Sequence, residues 1–235
     1  MNKIWIEQDI IKAKLADFFH ERKRELYRFG RSVNQTFETF VFAAVAKYYA
    51  ERGWEVRLIN PQSNGSDQRR MRLKYSTRGR PDNYSYFVCS KSGDEIQIRH
   101  QLRVATHSFQ EFGNQKYAAN VCLDVAVINS QDLSKFKSDD FVNNSSLIAF
   151  GEAKHMSAFA ELIANFIGLV HEMMPSKVRE NSLNVEDNHL HPFLYVSGLL
   201  YPTARGLKYT IENRKLNIDI FDLENPMLKK WKLPF

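Results

Sequence analysis

The sequence predicts an α/β protein with a central mixed β-sheet flanked by helices. Three observations support this fold class. Apolar residues recur at helical spacing over residues 6–52, apolar and polar residues alternate from Tyr84 onward, and an apolar helical pattern, "SAFAELIANFIGLVHEMM", separates two groups of strand-like segments. The order helix, helix, strands, helix, strands is typical of a sheet that helices cover.

Two helices are predicted before the first strand. The first spans residues 6–28, and the second runs from Ser32 to about Arg52. Glu38 lies beside the apolar stripe of the second helix, which consists of Phe37, Val41, Ala44, Val45 and Tyr48. The segment "GWEVRLIN" then predicts a short strand.

A hairpin and two apolar strands are predicted at the centre of the sheet. "YSYFVCSKSGDEIQIRHQLRVAT" is typical of a β-hairpin that turns at Ser92, Gly93 and Asp94, with one core face and one polar face. "NVCLDVAVI" is apolar on both faces except at Asp124, as expected for a covered central strand. "SLIAFGEAK" follows a long polar connection, so either this connection contains a small insertion or the two strands are not neighbours.

Pro175 ends the apolar helix, and three more strands are predicted after it. They are "FLYVSGLLY", "LKYTIEN" and "LNIDIFDL", of which the last two are joined by a turn at residues 213–215. At 235 residues the chain is long enough for one well-packed domain, and we expect a single domain over residues 1–235. Its parts are an N-terminal helix, a core, and C-terminal strands with a tail: residues 1–30, 33–175 and 176–235.

The composition is that of an ordinary globular protein, with 43% hydrophobic and 26% charged residues, which excludes wholesale disorder. No apolar segment has the length of a membrane span or of a signal-peptide core, so we expect a soluble, cytoplasmic protein without a membrane partner. Cys89 and Cys122 lie far apart in apolar segments, which favours reduced core thiols over a disulfide or a zinc site. The net charge of +6 favours phosphate-bearing partners.

The predicted strand in "LIAFGEAKHM" ends on two charged residues. Glu152 and Lys154 stand two positions apart, so their side chains point to the same face. Asp124, if its strand is the neighbouring one, lies near Glu152 on the face that it shares with Cys122 and Ala126. Two carboxylates in an apolar sheet repel each other and lose hydration, which raises their pKa or requires a cation. Lys154 supplies one positive charge, and a plain salt bridge with Glu152 is the alternative interpretation.

A divalent metal would compensate the remaining charge. Hard oxygen ligands favour Mg²⁺, with Mn²⁺ as a substitute, and we expect Asp124, Glu152 and the backbone carbonyl of Ala153 to bind it. Such an ion binds a phosphate oxygen and lowers the pKa of a coordinated water, while Lys154 orients that water or stabilises charge on phosphorus. The pattern therefore predicts metal-assisted phosphodiester hydrolysis.

In these residues the chain resembles the PD-(D/E)XK nuclease superfamily, the fold of many restriction and repair endonucleases. Asp124, Glu152 and Lys154 match that family's catalytic residues in type, order and setting, although Leu123 replaces the Pro of the family name. No Gln follows shortly after the Lys as in the RecB-like branch, which argues against that exonuclease type. The resemblance covers residues 33–175 and implies a restriction-endonuclease-like fold.

An acidic residue in the helix before the sheet extends the resemblance. Many family members have a pattern similar to "FExxV", a turn and "GWxV", and here Phe37, Glu38 and Val41 are followed by "RGWEV". The resemblance implies that Glu38 assists catalysis, with a role as a third metal ligand among the options. A surface or helix-packing role for Glu38 is the alternative.

A basic segment, residues 61–83, is the best candidate for contacts with a nucleic-acid backbone. Arg and Lys provide salt-sensitive affinity for phosphates, and the interleaved Tyr75 can stack on an exposed base. The hairpin adds two arginines that we expect to share one strand face, and a solvated surface is the alternative for both groups. The candidate contacts are Arg69, Arg70, Arg72, Lys74, Arg78, Arg80, Arg99 and Arg103.

The resemblance implies an endonuclease that cleaves DNA with magnesium. It further implies a homodimer that cuts both strands and a role in restriction or anti-phage defence, by analogy with the family. Two other hypotheses stay open. One is a catalytically inactive nucleic-acid-binding protein on the same fold, and the other is a structural subunit with a buried salt bridge.

Overall fold

The structure is a computed structural model that describes residues 31–60, 71–112, 116–182 and 189–233. The helix predicted over residues 6–28 lies outside these ranges, as do Arg69 and Arg70 of the basic segment.

The chain divides into two compact units, residues 1–36 and 37–235. In the first unit the described residues, 31–36, are helical, and the Thr36 hydroxyl donates a hydrogen bond to the carbonyl of Ser32 at 2.8 Å. The sheet and all the other described helices belong to the second unit.

Helical residues run from 31 to 50 (α1), close to the predicted bounds. Within the second unit this helix buries four of the five residues of its predicted apolar stripe, while Phe37 is half-buried. The helix ends in a turn that contains Gly53 at φ 79°. A positive φ favours glycine because other side chains crowd the backbone there.

A seven-stranded mixed sheet lies at the centre of the second unit. Its strands are β1 (Glu55–Ile59), β2 (Tyr86–Lys91), β3 (Asp94–Ala105), β4 (Asn120–Asn129), β5 (Leu147–Lys154), β6 (Phe193–Val196) and β7 (Asp219–Phe221). They lie side by side in chain order; β1 to β5 pair antiparallel, and β5, β6 and β7 pair parallel. The mixed sheet is confirmed, and β4 and β5 are direct neighbours.

Helices cover both faces of the sheet, which confirms the α/β class. Besides α1 they are α2 (His107–Phe112), α3 (Ala160–Met173), α4 (Pro202–Asn213) and α5 (Met227–Lys230). The core on one face, here the α3-side core, contains Ile163 of α3 and Phe150 of β5. The core on the other face, the α1-side core, contains Val45 of α1 and Ala149 of β5. Neighbouring residues of β5 thus serve opposite cores, as side chains of a strand should.

The segment "LKYTIEN" is helical, so the strand predicted there is wrong. It forms the second half of α4, which begins with Pro202 at a position where the missing N–H costs nothing. Ala204 and Ile211 are buried and Tyr209 is exposed, a helical pattern over two turns. The seven residues alone also fit an alternating pattern, because a short segment does not separate the two periods. The predicted turn at residues 213–215 therefore joins a helix to β7.

The alternation of β3 and β4 reverses at one cross-strand position. Ile98 of β3 and Val125 of β4 belong to the α1-side core, whereas Leu102 and Leu123 belong to the α3-side core. The register stays constant on both sides of Gln101, but no ladder pair joins Gln101 to Asp124, which stands opposite. Gln101 has φ 53°, and this left-handed residue turns the following side chains to the other face.

The reversal overturns the expectation that Arg99 and Arg103 share a face. Arg99 is paired with Ala126, whose side chain lies in the α3-side core. Arg103 follows Leu102, which lies in that same core, so Arg103 points to the opposite face. The predictions depended on uninterrupted alternation. They also placed Cys122 and Ala126 on one face, which is wrong, because Leu123 and Ala126 both lie in the α3-side core and Cys122 therefore points to the other face.

Strands β4 and β5 separate at the position where the charged residues begin. Their last ladder pair is Val125 with Gly151. Asp124 and Glu152 are therefore the first residues beyond the ladder on their two strands. From Gly151 onward β5 pairs instead with β6, and its other edge faces the gap.

Gly151 should tolerate no side chain, because a Cβ at this position would overlap the ring of Phe193 on β6. Phe193 is fully buried, so it has no space to move into. We expect Gly151→Ala to lower the free energy of unfolding by about 1–3 kcal/mol, the usual cost of overpacking, as measured by urea denaturation.

Gly168 is the matched control, because it lies in α3 and a Cβ there would meet nothing within 4 Å. Gly168→Ala should raise stability by up to about 1 kcal/mol through helix propensity. Equal stability of Gly151→Ala and the wild type would show that Phe193 can move aside.

Candidate active site

The ammonium of Lys154 lies between two carboxylates at the gap between β4 and β5. Its Nζ donates to Asp124 Oδ2 at 2.7 Å and to Glu152 Oε2 at 2.8 Å. The side chains of Asp124 and Glu152 are only 9% and 12% exposed, whereas that of Lys154 is 36% exposed. The structure thus brings together the three residues that the sequence singled out, with one edge of the cluster open to solvent.

Backbone groups bind the two carboxylates as well. Asp124 Oδ2 accepts a hydrogen bond from the N–H of Ala153 at 3.0 Å, and Glu152 Oε1 accepts one from the N–H of Asp124 at 3.3 Å. These bonds are possible because the strands no longer pair here. The carbonyl of Ala153 leaves the strand on the same edge as its N–H, so it also faces the gap.

Gln101 connects the cluster to α1. Its Nε2 donates to Asp124 Oδ1 at 2.9 Å and to Glu38 Oε2 at 3.2 Å. The structure therefore places Glu38 one hydrogen-bonded residue away from Asp124. The left-handed backbone of Gln101 costs on the order of 1 kcal/mol, so its neighbours must hold it in place.

His100 lies against Glu38 on the other side. Its Nε2 is 3.3 Å from Glu38 Oε2, although neither ring nitrogen has a hydrogen-bond partner among the described residues. The ring is buried between Phe42 and Tyr75. A buried ring without a hydrogen bond is uncommon, and it marks this side of the site as polar but incompletely satisfied.

The carboxyl of Glu152 is desolvated. A cavity of about 130 Å³ beside Glu152 and Lys154 is lined mainly by apolar side chains: Leu162, Phe166, Leu169 and Leu194. Burial, followed by the charge of Asp124, raises the pKa of Glu152 to about 7 although Lys154 opposes the shift. One ammonium therefore does not compensate both carboxylates at neutral pH.

Lys154 is held in its charged form. Burial alone would lower the pKa of its ammonium, but the carboxylates of Glu152 and Asp124 raise that pKa above its ordinary value. Lys154 can therefore donate hydrogen bonds and stabilise negative charge at neutral pH. It cannot accept a proton from water, because it already carries one.

The oxygen donors at the gap suit a hard divalent cation. They are the carboxylates of Asp124 and Glu152 and the carbonyl of Ala153, and the uncompensated charge of Glu152 favours a further cation. Within the described ranges, no group of three or more His, Cys, Asp and Glu side chains could hold a metal ion. A metal site here would thus depend on the backbone carbonyl and on water for its remaining ligands.

Both cysteines are free, in accord with the sequence prediction, but only Cys89 is buried. Cys122 is half-buried at the site, and its Sγ donates to Gln101 Oε1 at 3.4 Å. Burial raises the pKa of the Cys122 thiol to about 11, so it stays protonated. Its role at the site is that of a weak hydrogen-bond donor to Gln101.

Two of the predicted phosphate contacts are buried. The Nζ of Lys74 donates to the carbonyl of Gln101 at 2.8 Å. The guanidinium of Arg99 lies 3.3 Å from the centre of the Tyr86 ring and donates to Gln97 Oε1 at 2.9 and 2.7 Å. Both side chains are engaged within the protein, so neither is placed to contact a phosphate.

The exposed candidates lie on residues 71–80. Arg72, Arg78 and Arg80 are exposed, although Arg80 pairs with Asp82 at 2.7 Å. Arg103 is half-buried on the face of β3 that does not carry the α3-side core. Three exposed arginines and one half-buried arginine therefore remain from the described part of the candidate nucleic-acid contacts.

The basic segment adjoins the carboxylates through Tyr75. Its hydroxyl is 2.7 Å from the hydroxyl of Thr39, which follows Glu38 on α1. Its ring lies edge-on to His100, with ring centres 5.4 Å apart. The arginines at residues 71–80 are thus close in the chain to residues that contact the site.

Gln101 and His100 belong to the site although neither was predicted as a site residue. A signal was present, because His100 stands between Ile98 and Leu102 where simple alternation requires an apolar residue. Three consecutive polar residues, Arg99 to Gln101, at the middle of a predicted core strand indicate a break in the alternation, and the break marks the site.

No protein-family model matches the sequence, and no curated protein matches it either. Within the described ranges, no helix has both the length and the apolar character needed to span a bilayer.

The metal-free protein should lose stability between about pH 4.5 and about pH 7 because of Glu152. Its pKa in the folded state lies above the usual 4.5, so the folded protein binds the proton more tightly than the unfolded chain. The stability that this tighter proton binding contributes is complete below about pH 4.5 and is lost as the pH rises through about 7. Glu152→Gln cannot ionise at this position. Relative to that variant, the free energy of unfolding of the wild type should fall by at most about 3 kcal/mol over this pH range.

Urea denaturation in EDTA at several pH values measures this difference. Glu51→Gln, which changes an exposed glutamate just after α1, is the control and should follow the wild type. Parallel curves for Glu152→Gln and the wild type would show that the carboxyl of Glu152 is not desolvated.

Proposed function

We propose that the protein is a magnesium-dependent nuclease that hydrolyses phosphodiester bonds in DNA. The observation that carries this proposal is the convergence of Asp124, Glu152 and Lys154 at the gap between β4 and β5. Two desolvated carboxylates beside one ammonium form a site with too little positive charge. A cation would supply the missing positive charge, and it could in turn bind a phosphate group of the substrate.

Asp124, Glu152 and the carbonyl of Ala153 would hold the magnesium ion. When bound, the ion supplies a Lewis acid for a phosphate oxygen and lowers the pKa of a coordinated water. Glu152 has to be ionised for this role, which requires a pH near or above its pKa of about 7 in the absence of metal. The apparent affinity for magnesium should therefore rise with pH across neutrality, because the ion competes with the proton for Glu152.

Lys154 would stabilise the transition state. Its ammonium stays protonated, so it donates hydrogen bonds to the attacking water or to a phosphate oxygen as negative charge grows on phosphorus. Burial against Asp124 and Glu152 fixes its direction before the substrate arrives. Glu38 would assist through Gln101, either by orienting Asp124 or by binding water at the metal.

We also propose that the chain has the restriction-endonuclease-like fold of the PD-(D/E)XK superfamily. The order of its elements supports this proposal: a helix that carries Glu38, then a hairpin, then neighbouring strands with Asp124 and with Glu152 and Lys154, then α3. A homodimer that cuts both DNA strands and a role in restriction or anti-phage defence follow from the same analogy.

Plasmid cleavage in magnesium tests the function. Asp124→Asn and Glu152→Gln should abolish cleavage, because each removes a carboxylate ligand, and EDTA should abolish it in the wild type. Lys154→Ala should lower the turnover by about 10²–10³-fold, as the loss of one transition-state donor does. Manganese should support cleavage by the wild type.

Glu51→Gln is the control for these variants and should cleave like the wild type. DNA binding without cleavage in magnesium or manganese would favour a catalytically inactive nucleic-acid-binding protein. A protein that neither binds nor cleaves nucleic acid, and in which Glu152→Gln changes only stability, would be a structural subunit.

DNA binding should depend on salt through the exposed arginines. Arg72→Ala and Arg78→Ala should each weaken DNA binding by a similar factor for unrelated DNA sequences. Each should also reduce the magnitude of the slope of log binding constant against log salt concentration by about 1. Fluorescence anisotropy with labelled DNA from low to moderate salt measures both effects. Each arginine substitution can be combined with Glu152→Gln, which should not cleave, so that binding can be measured in magnesium.

Arg214→Ala is the matched control. Arg214 is an exposed arginine that follows α4 and pairs with Glu180, and both residues are distant in sequence from the basic segment. Its variant should keep the wild-type slope. Unchanged slopes for Arg72→Ala and Arg78→Ala would remove residues 71–80 from the DNA interface.

A further inference from the structure

We propose that Gln101 is a positioning residue that fixes Glu38 of α1 and Asp124 of β4 in one constellation. The inference rests on the proposed function, since it assigns Gln101 a part in the same reaction. Gln101 is not proposed to contact the phosphate. It would act through the two carboxylates that its amide binds.

The side-chain amide of Gln101 bridges acids from two different elements. Its Nε2 reaches Asp124 Oδ1 at 2.9 Å and Glu38 Oε2 at 3.2 Å. Asp124 Oδ2 is bound by Lys154, so the two oxygens of Asp124 have donors on opposite sides. The orientation of this carboxylate is thereby set by one residue from β3 and two from β5, since Oδ2 also accepts from the N–H of Ala153.

The backbone of Gln101 adopts a conformation that strands do not normally contain. Five non-glycine residues have a positive φ in the described ranges, and Gln101 is the one that lies within a strand. The others, Ser92, Asn181, Lys215 and Lys232, lie in turns. A strained residue in mid-strand persists only where its surroundings hold it, and such residues cluster at functional sites.

Each polar group of the residue beyond its N–H has a partner. The carbonyl accepts a hydrogen bond from the buried Lys74, and Oε1 accepts one from Cys122. With Oε1 bound to a donor, Nε2 has to face the two carboxylates. Cys122 and the two acceptor carboxylates therefore determine which end of the amide meets Asp124 and Glu38, while Lys74 holds the backbone of Gln101.

Only a long side chain with a neutral donor satisfies these contacts. A Glu at position 101 would place an acceptor against two carboxylates, and an Asn would be one methylene too short to bridge them. A Gly would suit the left-handed backbone better than Gln does. A purely structural role would thus favour Gly at this position, whereas a positioning role requires the amide.

The first test compares Gln101→Gly and Gln101→Glu with the wild type in plasmid cleavage. We expect Gln101→Gly to unfold cooperatively and to keep its KM for DNA, while kcat falls by about 10–100-fold, as when a group that orients a metal ligand is removed. Gln101→Glu keeps the length but not the donor, so its kcat should fall at least as far. A kcat of Gln101→Gly equal to that of the wild type would overturn the proposal.

Lys215→Gly is the matched control, because Lys215 has φ 52° but is exposed in the turn after α4. It should change neither kcat nor KM. The comparison separates relief of backbone strain, which both glycine variants share, from loss of the amide, which only one of them has.

The second test is a double-mutant cycle of Gln101→Gly and Glu38→Ala, read by urea denaturation without metal. If the amide holds Glu38, the loss of stability in the double variant should be smaller than the sum of the two single losses. Additive losses would overturn the coupling. This cycle does not require cleavage, so a wild type that cuts no DNA would refute the proposed function and still leave the role of Gln101 to be decided by the cycle.

Discussion

The rest of the site depends on the ion pairs that the ammonium of Lys154 forms with both Asp124 and Glu152. Asp124 and Glu152 stand at the end of a ladder inside an apolar sheet, where two negative charges repel and neither is well hydrated. Lys154 makes their proximity possible by donating to both. It does so incompletely, because the pKa of Glu152 stays raised to about 7. The site therefore keeps a deficit of positive charge, which a cation would fill under the proposed function.

Much of the fold could be predicted from the sequence, because it is encoded in long and regular patterns. Four elements extend over enough residues to distinguish the helical period from the strand period: α1, the hairpin of β2 and β3, the apolar strand β4, and α3. The error at α4 arose in a segment of seven residues, where both periods fit. Asp124, Glu152 and Lys154 could be predicted because charged residues interrupt otherwise apolar strands.

The remainder of the site depends on one backbone angle and on contacts distant in sequence. The φ of Gln101 reverses the alternation in β3, and no hydrophobic pattern reports a single left-handed residue. The burial of Lys74 and Arg99 likewise depends on the path of the segment before β2, which the sequence showed only as basic and polar. Basic residues in such a segment divide into those that hold the protein together and those that meet solvent, and composition does not separate them.

The change of partner along β5 has a consequence for how the site is held open. Beyond Gly151 one edge of β5 is bound to β6, while the opposite strand of the gap, β4, is bound to β3. The backbones that carry the acidic residues are therefore held by two separate pairings on either side of the gap, and only hydrogen bonds that involve side chains cross it. If a cation binds here as we propose, a change in β3 or β6 that leaves every acidic residue intact would alter the width of the gap and the size of the cation that it holds. Ion selectivity would then be a property of the sheet more than of the ligands.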